Sequence, residues 1–375
     1  MSRFRTEQEE FRSVVREFLQ SKSGSADVRR LMETDEGLDR AVWGQMAGQL
    51  ELQGLLVPEQ YGGSGLTIAE LAMVAEEMGR VLFCGPYLSQ TLAIEALLGS
   101  GDESARAEWL PRLAAGTTIG TLAVAEDETG WSTEQLRTRS DGASTPTLRG
   151  RKTFVTDGAV ADLLVVAADS DAGPSLFLVD GFASGVSPRL LTTVDPTRKL
   201  AVIDFLDAPA RLLGRPGEAG PVLARVLQIG AVVLAAEQVG AAQRCLEVSV
   251  EHAKNRVQYG RPIGSFQAVK HKCAEMLLAV ESARSAAGHA VLVALGERQD
   301  PLGPAASIAK ALCSDALTSV TADTIQVLGG IGFTWEHDAH LYYRRAKSSA
   351  HLFGDPHEHR DQVAQHLFDT CERAK

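Results

Sequence analysis

The stretch PVLARVLQIGAVVLAAEQVGAAQRCLEVSVEHAKNR, residues 221–256, decides the fold class of this chain. Apolar residues recur through it at helical spacing, and no proline follows Pro221. A pattern lasting about ten turns is a long bundle helix rather than an isolated surface helix. Gly230 and Gly240 interrupt it. Glycine inside a helix costs about 1 kcal/mol, so both are expected to mark close packing against neighbouring helices. Two more helical patterns follow, HKCAEMLLAVESARSAAGHAVLVAL (271–295) and PAASIAKALCSDALTSVTADTIQVL (304–328). Pro301 and Pro304 fit the start of the second.

Working backwards, the texture changes. TTIGTLAVAED (117–127), RKTFVTDGAVADLLVVAAD (151–169), SLFLVDG (175–181) and LAVIDFL (200–206) are short runs rich in branched residues, punctuated by Gly, Asp and Pro. These read as strands, and LLVVAAD reads as one buried on both faces. Before them the chain is helical again. Phe4, Phe11, Val14, Val15 and Phe18 recur three and four apart and are expected to form one apolar face. A second helix is expected over 66–81, after the Gly- and Pro-rich loop LVPEQYGGSGL (56–66). The order is α, then β, then α, with expected divisions at 1–115, 116–220 and 221–375.

Composition bounds the function. The chain has 375 residues, 45% of them hydrophobic, 23% charged, and a net charge of -11. That is an ordinary globular composition able to bury a large core. The acidic balance argues against nucleic acid, whose phosphates need a basic footprint. The five cysteines are scattered and odd in number, without a CxxC pair, as expected of a reducing cytoplasm. The N-terminal stretch carries charges throughout and has no apolar core typical of a secretory signal. No membrane span is expected, since no apolar run approaches about 20 residues.

Three stretches carry a resemblance to the acyl-CoA dehydrogenase family. GLLVPEQYGGSGLTIAELAMVAEEMGR (54–80) is similar to its N-terminal signature. NRVQYGRPIGSFQAVKHKCAEM (255–276) is similar to its Arg-x-x-Phe-Gly motif with a following Phe-Gln, with Tyr259 in place of Phe. QVLGGIGFTWEHDAHLYYRRAK (326–347) is similar to its Gln-x-x-Gly-Gly-x-Gly-Tyr motif, with Phe333 in place of Tyr. The resemblance covers essentially the whole chain. It implies an N-terminal helical domain, a middle antiparallel β-barrel-like domain and a C-terminal four-helix bundle. It also implies FAD as cofactor, an acyl-CoA substrate and an electron-transfer flavoprotein or similar acceptor. No metal is implied.

By the resemblance, Arg256 grips the FAD pyrophosphate, where a planar guanidinium suits phosphate oxygens. Gln267 helps fix the adenosine half, and Gln326 contacts the same region. Gly329 and Gly330 allow the backbone to approach the cofactor closely. In the family, the Arg and Gln of the first motif reach across a subunit interface. Thr156, in a strand matching a Lys-x-Trp-Ile-Thr pattern as Lys152, Phe154, Val155 and Thr156, offers a hydroxyl beside the flavin. Phe154 offers a smaller ring there than Trp.

The chain also departs from the family. The carboxylate that removes the α-proton usually precedes a Gly-Thr after the last motif; aligned on Gly354, that position is Phe353. Members that carry the base on the long helix have it where this chain has Gly230. In the middle segment VAEDETGWSTEQL (124–136), Glu126 matches the family's flavin loop, and Gly130 and Ser132 correspond, but the Pro and the closing Asp do not. Asp355 and Glu237 are the substitute base candidates. Glu237 lies two turns beyond Gly230, among apolar residues that would raise its pKa; its structural alternative is a buried Glu paired with an Arg. The cluster AHLFGDPHEHR (350–360) is expected to be a solvated turn into a last helix, since His357 and His359, two apart, diverge on a helix. Intact cofactor motifs beside a missing base resemble the smaller subunit of heterotetrameric α2β2 members, notably those of actinobacterial steroid side-chain degradation. A self-sufficient homo-oligomer and a non-catalytic partner subunit remain the alternatives.

Overall fold

The computed structural model describes residues 2–143 and 145–373, with side chains from Gln8 to Glu372; the side chain of Phe4 lies outside them. The chain opens with helices α1 (Ser2–Lys22), α2 (Ser25–Met32), α3 (Arg40–Leu50), α4 (Ile68–Arg80), α5 (Tyr87–Gly99) and α6 (Glu103–Ala114). Strands follow as β1 (Gly120–Ala123), β2 (Arg139–Ser140), β3 (Thr147–Thr156), β4 (Leu163–Ser170), β5 (Gly173–Asp180), β6 (Val186–Leu190), β7 (Leu200–Pro209) and β8 (Arg211–Leu213). Helix α7 (Ala219–Asn255) is followed by the strand pair β9 (Val257–Gln258) and β10 (Arg261–Pro262). Helices α8 (Gln267–Ala294), α9 (Leu302–Leu328), α10 (Ala339–His351) and α11 (Pro356–Arg373) complete the chain.

Two compact units form. One contains residues 29–67 and 84–230, the other residues 1–28, 68–83 and 231–375. The first is built on one sheet of order β6-β7-β3-β2-β4-β5-β8, with β1 added beside β4. Pairing is mainly antiparallel, but β1 and β2 both run parallel to β4. Leu163 to Ala168 of β4 are all buried, as the unbroken apolar run requires.

In the second unit, α7, α8 and α9 pack around small side chains. Ala235, Val239, Ala283, Ala287, Ala306 and Ala309 share one core cluster. Close approach is forced where α4 meets α7. A Cβ on Gly79 would fall 1.9 Å from the Glu237 carbonyl oxygen, and one on Gly240 1.8 Å from the Glu76 carbonyl oxygen. Gly240 therefore marks close packing, as the sequence suggested. On α1, Val15 and Leu19 are buried whereas Val14 is half-exposed, so the apolar face is narrower than the sequence suggested.

By length and apolar composition alone, α7 and α8 are each sufficient to cross a membrane. In α7, 61% of the most apolar window is buried within the protein, as in a core helix. All five cysteines are free.

Candidate active site

Helix directions gather five of the expected residues. Lys272, near the start of α8, pairs with Asp323, near the end of α9, so these helices run antiparallel. Gln238 Nε2 of α7 donates to Ser314 Oγ of α9 at 3.0 Å, and Ser249 Oγ to Thr324 Oγ1 at 3.1 Å, so α7 and α9 run parallel. The end of α7, the start of α8 and the end of α9 therefore share one end of the bundle. Arg256, Gln267, Gln326, Gly329 and Gly330 all sit there, and all are exposed.

The backbone around them is fixed. Arg256 N donates to His252 O at 2.8 Å, and Ile263 N returns to Arg256 O at 2.8 Å. Between these bonds β9 and β10 form a hairpin, with Tyr259 (φ 53°) and Gly260 (φ 75°) both left-handed at the tip. That is the backbone a tight two-residue hairpin needs. The Arg261 guanidinium lies 4.2 Å over the Phe266 ring, and Tyr259 meets Phe266 edge-on with centroids 6.2 Å apart. Tyr259 is nonetheless 91% exposed.

These residues fit a dinucleotide. The side chains of Arg256, Gln267 and Gln326 make no hydrogen bond among the described residues, so their donors are unspent. Gly329 is left-handed (φ 66°), and a Cβ added at Gly329 or Gly330 would meet nothing within 4 Å. This is open room beside a basic group, suited to a pyrophosphate.

The β unit holds the other expected cofactor residue. Thr156 ends β3 and is buried, its carbonyl accepting from Thr121 Oγ1 at 2.6 Å. A register shift between Lys152 and Val155 pushes Phe154 into a left-handed conformation (φ 51°) and half into solvent. Glu126 is structural. It accepts from Lys152 Nζ at 2.6 Å and from the amides of Arg137 and Thr138 at 2.6 and 2.9 Å. Burial alone would raise its pKa, but Lys152 and the two amides hold it below the usual carboxylate range.

The expected base positions have a different geometry. Phe353 is buried and left-handed (φ 64°), and Gly354 follows at φ 104°. Asp355 caps α11: its Oδ1 accepts from His357 N at 2.8 Å and Glu358 N at 2.9 Å. These amide bonds hold its carboxyl below the usual range. Glu237 accepts from Arg345 Nη1 at 2.8 Å, within the helical unit.

The histidine cluster does not converge. His351 and His357 are exposed, while His359 turns inward to Ser307 Oγ at 3.0 Å. Burial, with Lys310 nearby, pushes His359 down to about 4. Only part of this segment is therefore the solvated turn expected from sequence.

Sequence reading did not identify Arg345 as the arginine that pairs with Glu237, and it missed Lys310. Arg345 sits in a run of basic residues that reads as solvated. Lys310 stands alone among AASIA and ALC, and a lone charge on an apolar helix face was the available signal. The run AAEQVGAA (235–242) spends its side chains on packing: Ala235, Val239, Ala241 and Ala242 are all in core clusters.

A cavity of about 470 Å³ lies elsewhere in the helical unit, lined in part by Arg16, Arg80 and Arg244. All three face carboxylates, Arg16 on Glu77 and the other two on Glu247.

Known proteins share this arrangement. The description "Acyl-CoA dehydrogenase, C-terminal domain" matches residues 220–368, and "Acyl-CoA dehydrogenase, N-terminal domain" matches residues 5–117. The chain is 35% identical over 352 residues to the acyl-CoA dehydrogenase IpdE2 of Mycobacterium tuberculosis, covering 94% of both chains. Among solved structures, it matches a chain of the Tcur3481-Tcur3483 steroid ACAD, in a variant form, with TM-score 0.89 and 27% identity over 98% of this chain and 99% of that one. It matches a chain of the ChsE4-ChsE5 complex from Mycobacterium tuberculosis with TM-score 0.87 and 25% identity, covering 96% of each. With motif, fold and whole-length similarity in agreement, the chain belongs to the acyl-CoA dehydrogenase family of FAD-dependent enzymes.

Proposed function

We propose that this chain serves in the α,β-dehydrogenation of an acyl-CoA thioester as one subunit of a heteromeric enzyme, contributing part of an FAD site shared with a second acyl-CoA dehydrogenase-like subunit. The observation that carries this reading is the turn after α10. There Phe353, which aligns by sequence with the family's carboxylate base, is a buried phenyl side chain. A phenyl ring accepts no proton, and loss of a general base costs about 10²- to 10⁴-fold in rate. Asp355 is engaged as a helix cap and Glu237 in an ion pair. The base is therefore assigned to the second subunit.

In this reading Arg256 binds the FAD pyrophosphate, Gln267 and Gln326 orient the adenosine half, and Gly329 and Gly330 leave room for it. Thr156 and Phe154 lie on the strand that would border the flavin ring. FAD, when bound, supplies the hydride acceptor. An electron-transfer flavoprotein or similar acceptor would then take the electrons. Structural neighbours that are two-protein complexes support the heteromer. The steroid ACAD among them supports a bulky, steroid-like acyl group.

Purification of the chain alone and with a co-expressed second dehydrogenase-like subunit tests the reading. Flavin absorbance and thioester oxidation are expected only in the mixed assembly. Stoichiometric FAD and full turnover by the chain alone would overturn it.

A further inference from the structure

We propose that Lys310 is a positioning residue, holding the Phe353–Gly354 turn in the conformation in which its backbone amides meet the thioester carbonyl. This deepens the proposed function and rests on it: the thioester would lie against this turn, at the position aligned with the family's base, while the second subunit supplies the base itself.

Two consecutive left-handed residues need an external hold, because a non-glycine residue such as Phe353 is disfavoured there by about 1–2 kcal/mol. Lys310 supplies one from beneath. Its side chain is fully buried on α9. Nζ donates to Ala350 O at 3.0 Å, to Gly354 O at 3.1 Å and to Ser314 Oγ at 3.1 Å, which uses all three ammonium hydrogens. Two of these acceptors bracket the turn: Ala350 in the last turn of α10, and Gly354 after Phe353. The third acceptor is itself fixed, since Ser314 Oγ accepts from Gln238 Nε2 of α7 at 3.0 Å.

A second grip comes from α11. His359 Nδ1 meets Ser307 Oγ at 3.0 Å, one helical turn before Lys310. A Cβ at Gly354 would lie 3.3 Å from His359 Nε2 and 3.2 Å from Glu358 Oε2. The turn is thus closed against the core on its inner side.

Stability alone is a poor account of Lys310. No carboxylate lies within ion-pair distance of it among the described residues. A buried ammonium bonded only to neutral acceptors retains a large desolvation cost, and an apolar side chain of similar length would fill the space more cheaply. What the ammonium adds is direction: it draws the carbonyls of residues 350 and 354 inward and so sets the planes of the intervening peptides.

The test uses the assembled holoenzyme and a binding readout. Dissociation constants are measured by calorimetry for an acyl-CoA thioester analogue that cannot be dehydrogenated and for the matching thioether, which lacks the carbonyl oxygen. In the wild type the thioester binds more tightly. In Lys310→Met that preference falls about tenfold while thioether affinity holds, and Lys310→Arg restores part of it. If Lys310→Met does not assemble, Ser314→Ala decides, with a smaller loss of the same preference expected. An undiminished preference in the variants overturns the role of Lys310 while leaving the site reading intact. An equal loss for both ligands likewise overturns it, since that marks a merely structural lysine. No preference in the wild type overturns the reading of the turn, and the proposal with it.

Discussion

Arg345 donates to Glu237 at 2.8 Å inside the helical unit, with the Arg345 side chain only 3% exposed. The pair joins α10 to α7, and Arg345 Nη2 also reaches the Phe83 carbonyl at 3.4 Å. Removing one partner leaves a buried charge without its counterpart. Glu237→Gln is therefore expected to lower unfolding stability by about 3–5 kcal/mol. The double variant Glu237→Leu, Arg345→Met should recover most of that loss. Chemical denaturation of the wild type, Glu237→Leu, Arg345→Met and the double variant closes the cycle, and additive losses would show that the two residues are not coupled.

Asp355 admits a sharper separation of roles. As the cap of α11 it is expected to tolerate asparagine and not alanine, with Asp355→Ala costing about 1 kcal/mol and Asp355→Asn much less. Thermal melting of both variants measures this. Turnover lost in Asp355→Asn with its melting temperature intact would return Asp355 to the role of base.

Arg256 is exposed and its side chain makes no hydrogen bond among the described residues, so its replacement should leave the fold alone. Arg256→Leu in the assembled enzyme is expected to weaken FAD binding by about 10- to 100-fold, the value of charge-assisted hydrogen bonds to phosphate. Arg256→Lys should recover only part, because an ammonium lacks the planar fork. Flavin retained after gel filtration reads the difference, and equal retention in all three proteins would remove Arg256 from the cofactor site.

The residues that the sequence made legible and those it hid differ in kind. Helix existence was legible because α7, α8 and α9 show helical periodicity over many turns, and β4 because an unbroken apolar run must be buried. Arg256, Gln267 and the Gly329–Gly330 pair were legible through the resemblance as expected cofactor residues, and the fold brings them to one exposed end of the bundle. Glu237 was legible as a carboxylate that an arginine would pair, though not which arginine, and Asp355 as a carboxylate but not as a helix cap. The arginine that neutralises Glu237 is 108 positions away, and the amides that Asp355 caps belong to a helix whose start depends on the turn before it. Lys310 was hidden for the same reason: its acceptors are backbone carbonyls, which leave no mark on the sequence.

His359 should make the protein acid-labile in a window of its own. Its folded value is about 4 against the usual 6.5, because burial and Lys310 oppose the imidazolium. The groups facing it are Lys310 on α9, Glu358 beside it and Asp355 before α11. The unfolded chain takes up the proton first, so stability is full above about pH 6.5 and falls as pH drops toward 4, by about 3 kcal/mol at most. His359→Gln, which cannot titrate, is expected to flatten that interval of the melting-temperature profile. An unchanged slope would show that another group governs it.

In the β unit, Lys152 and Glu126 make a fully enclosed pair at 2.6 Å, with Lys152 Nζ also donating to Val124 O at 3.0 Å. Together they tie β3 to the loop that resembles the family's flavin loop, since Glu126 also holds the amides of Arg137 and Thr138. Lys152→Met keeps the chain length and removes the charge, leaving Glu126 buried with only two amide donors. A loss of about 3–5 kcal/mol is expected. Because Lys152 no longer holds the Glu126 carboxyl down, its proton should be taken up at higher pH, and the variant's stability deficit should shrink as pH falls toward 4. Urea melts of wild type and Lys152→Met at pH 7 and pH 4.5 measure both effects. A deficit that does not change with pH would mean that lost packing around the lysine stem, rather than an uncompensated carboxylate, accounts for the destabilisation.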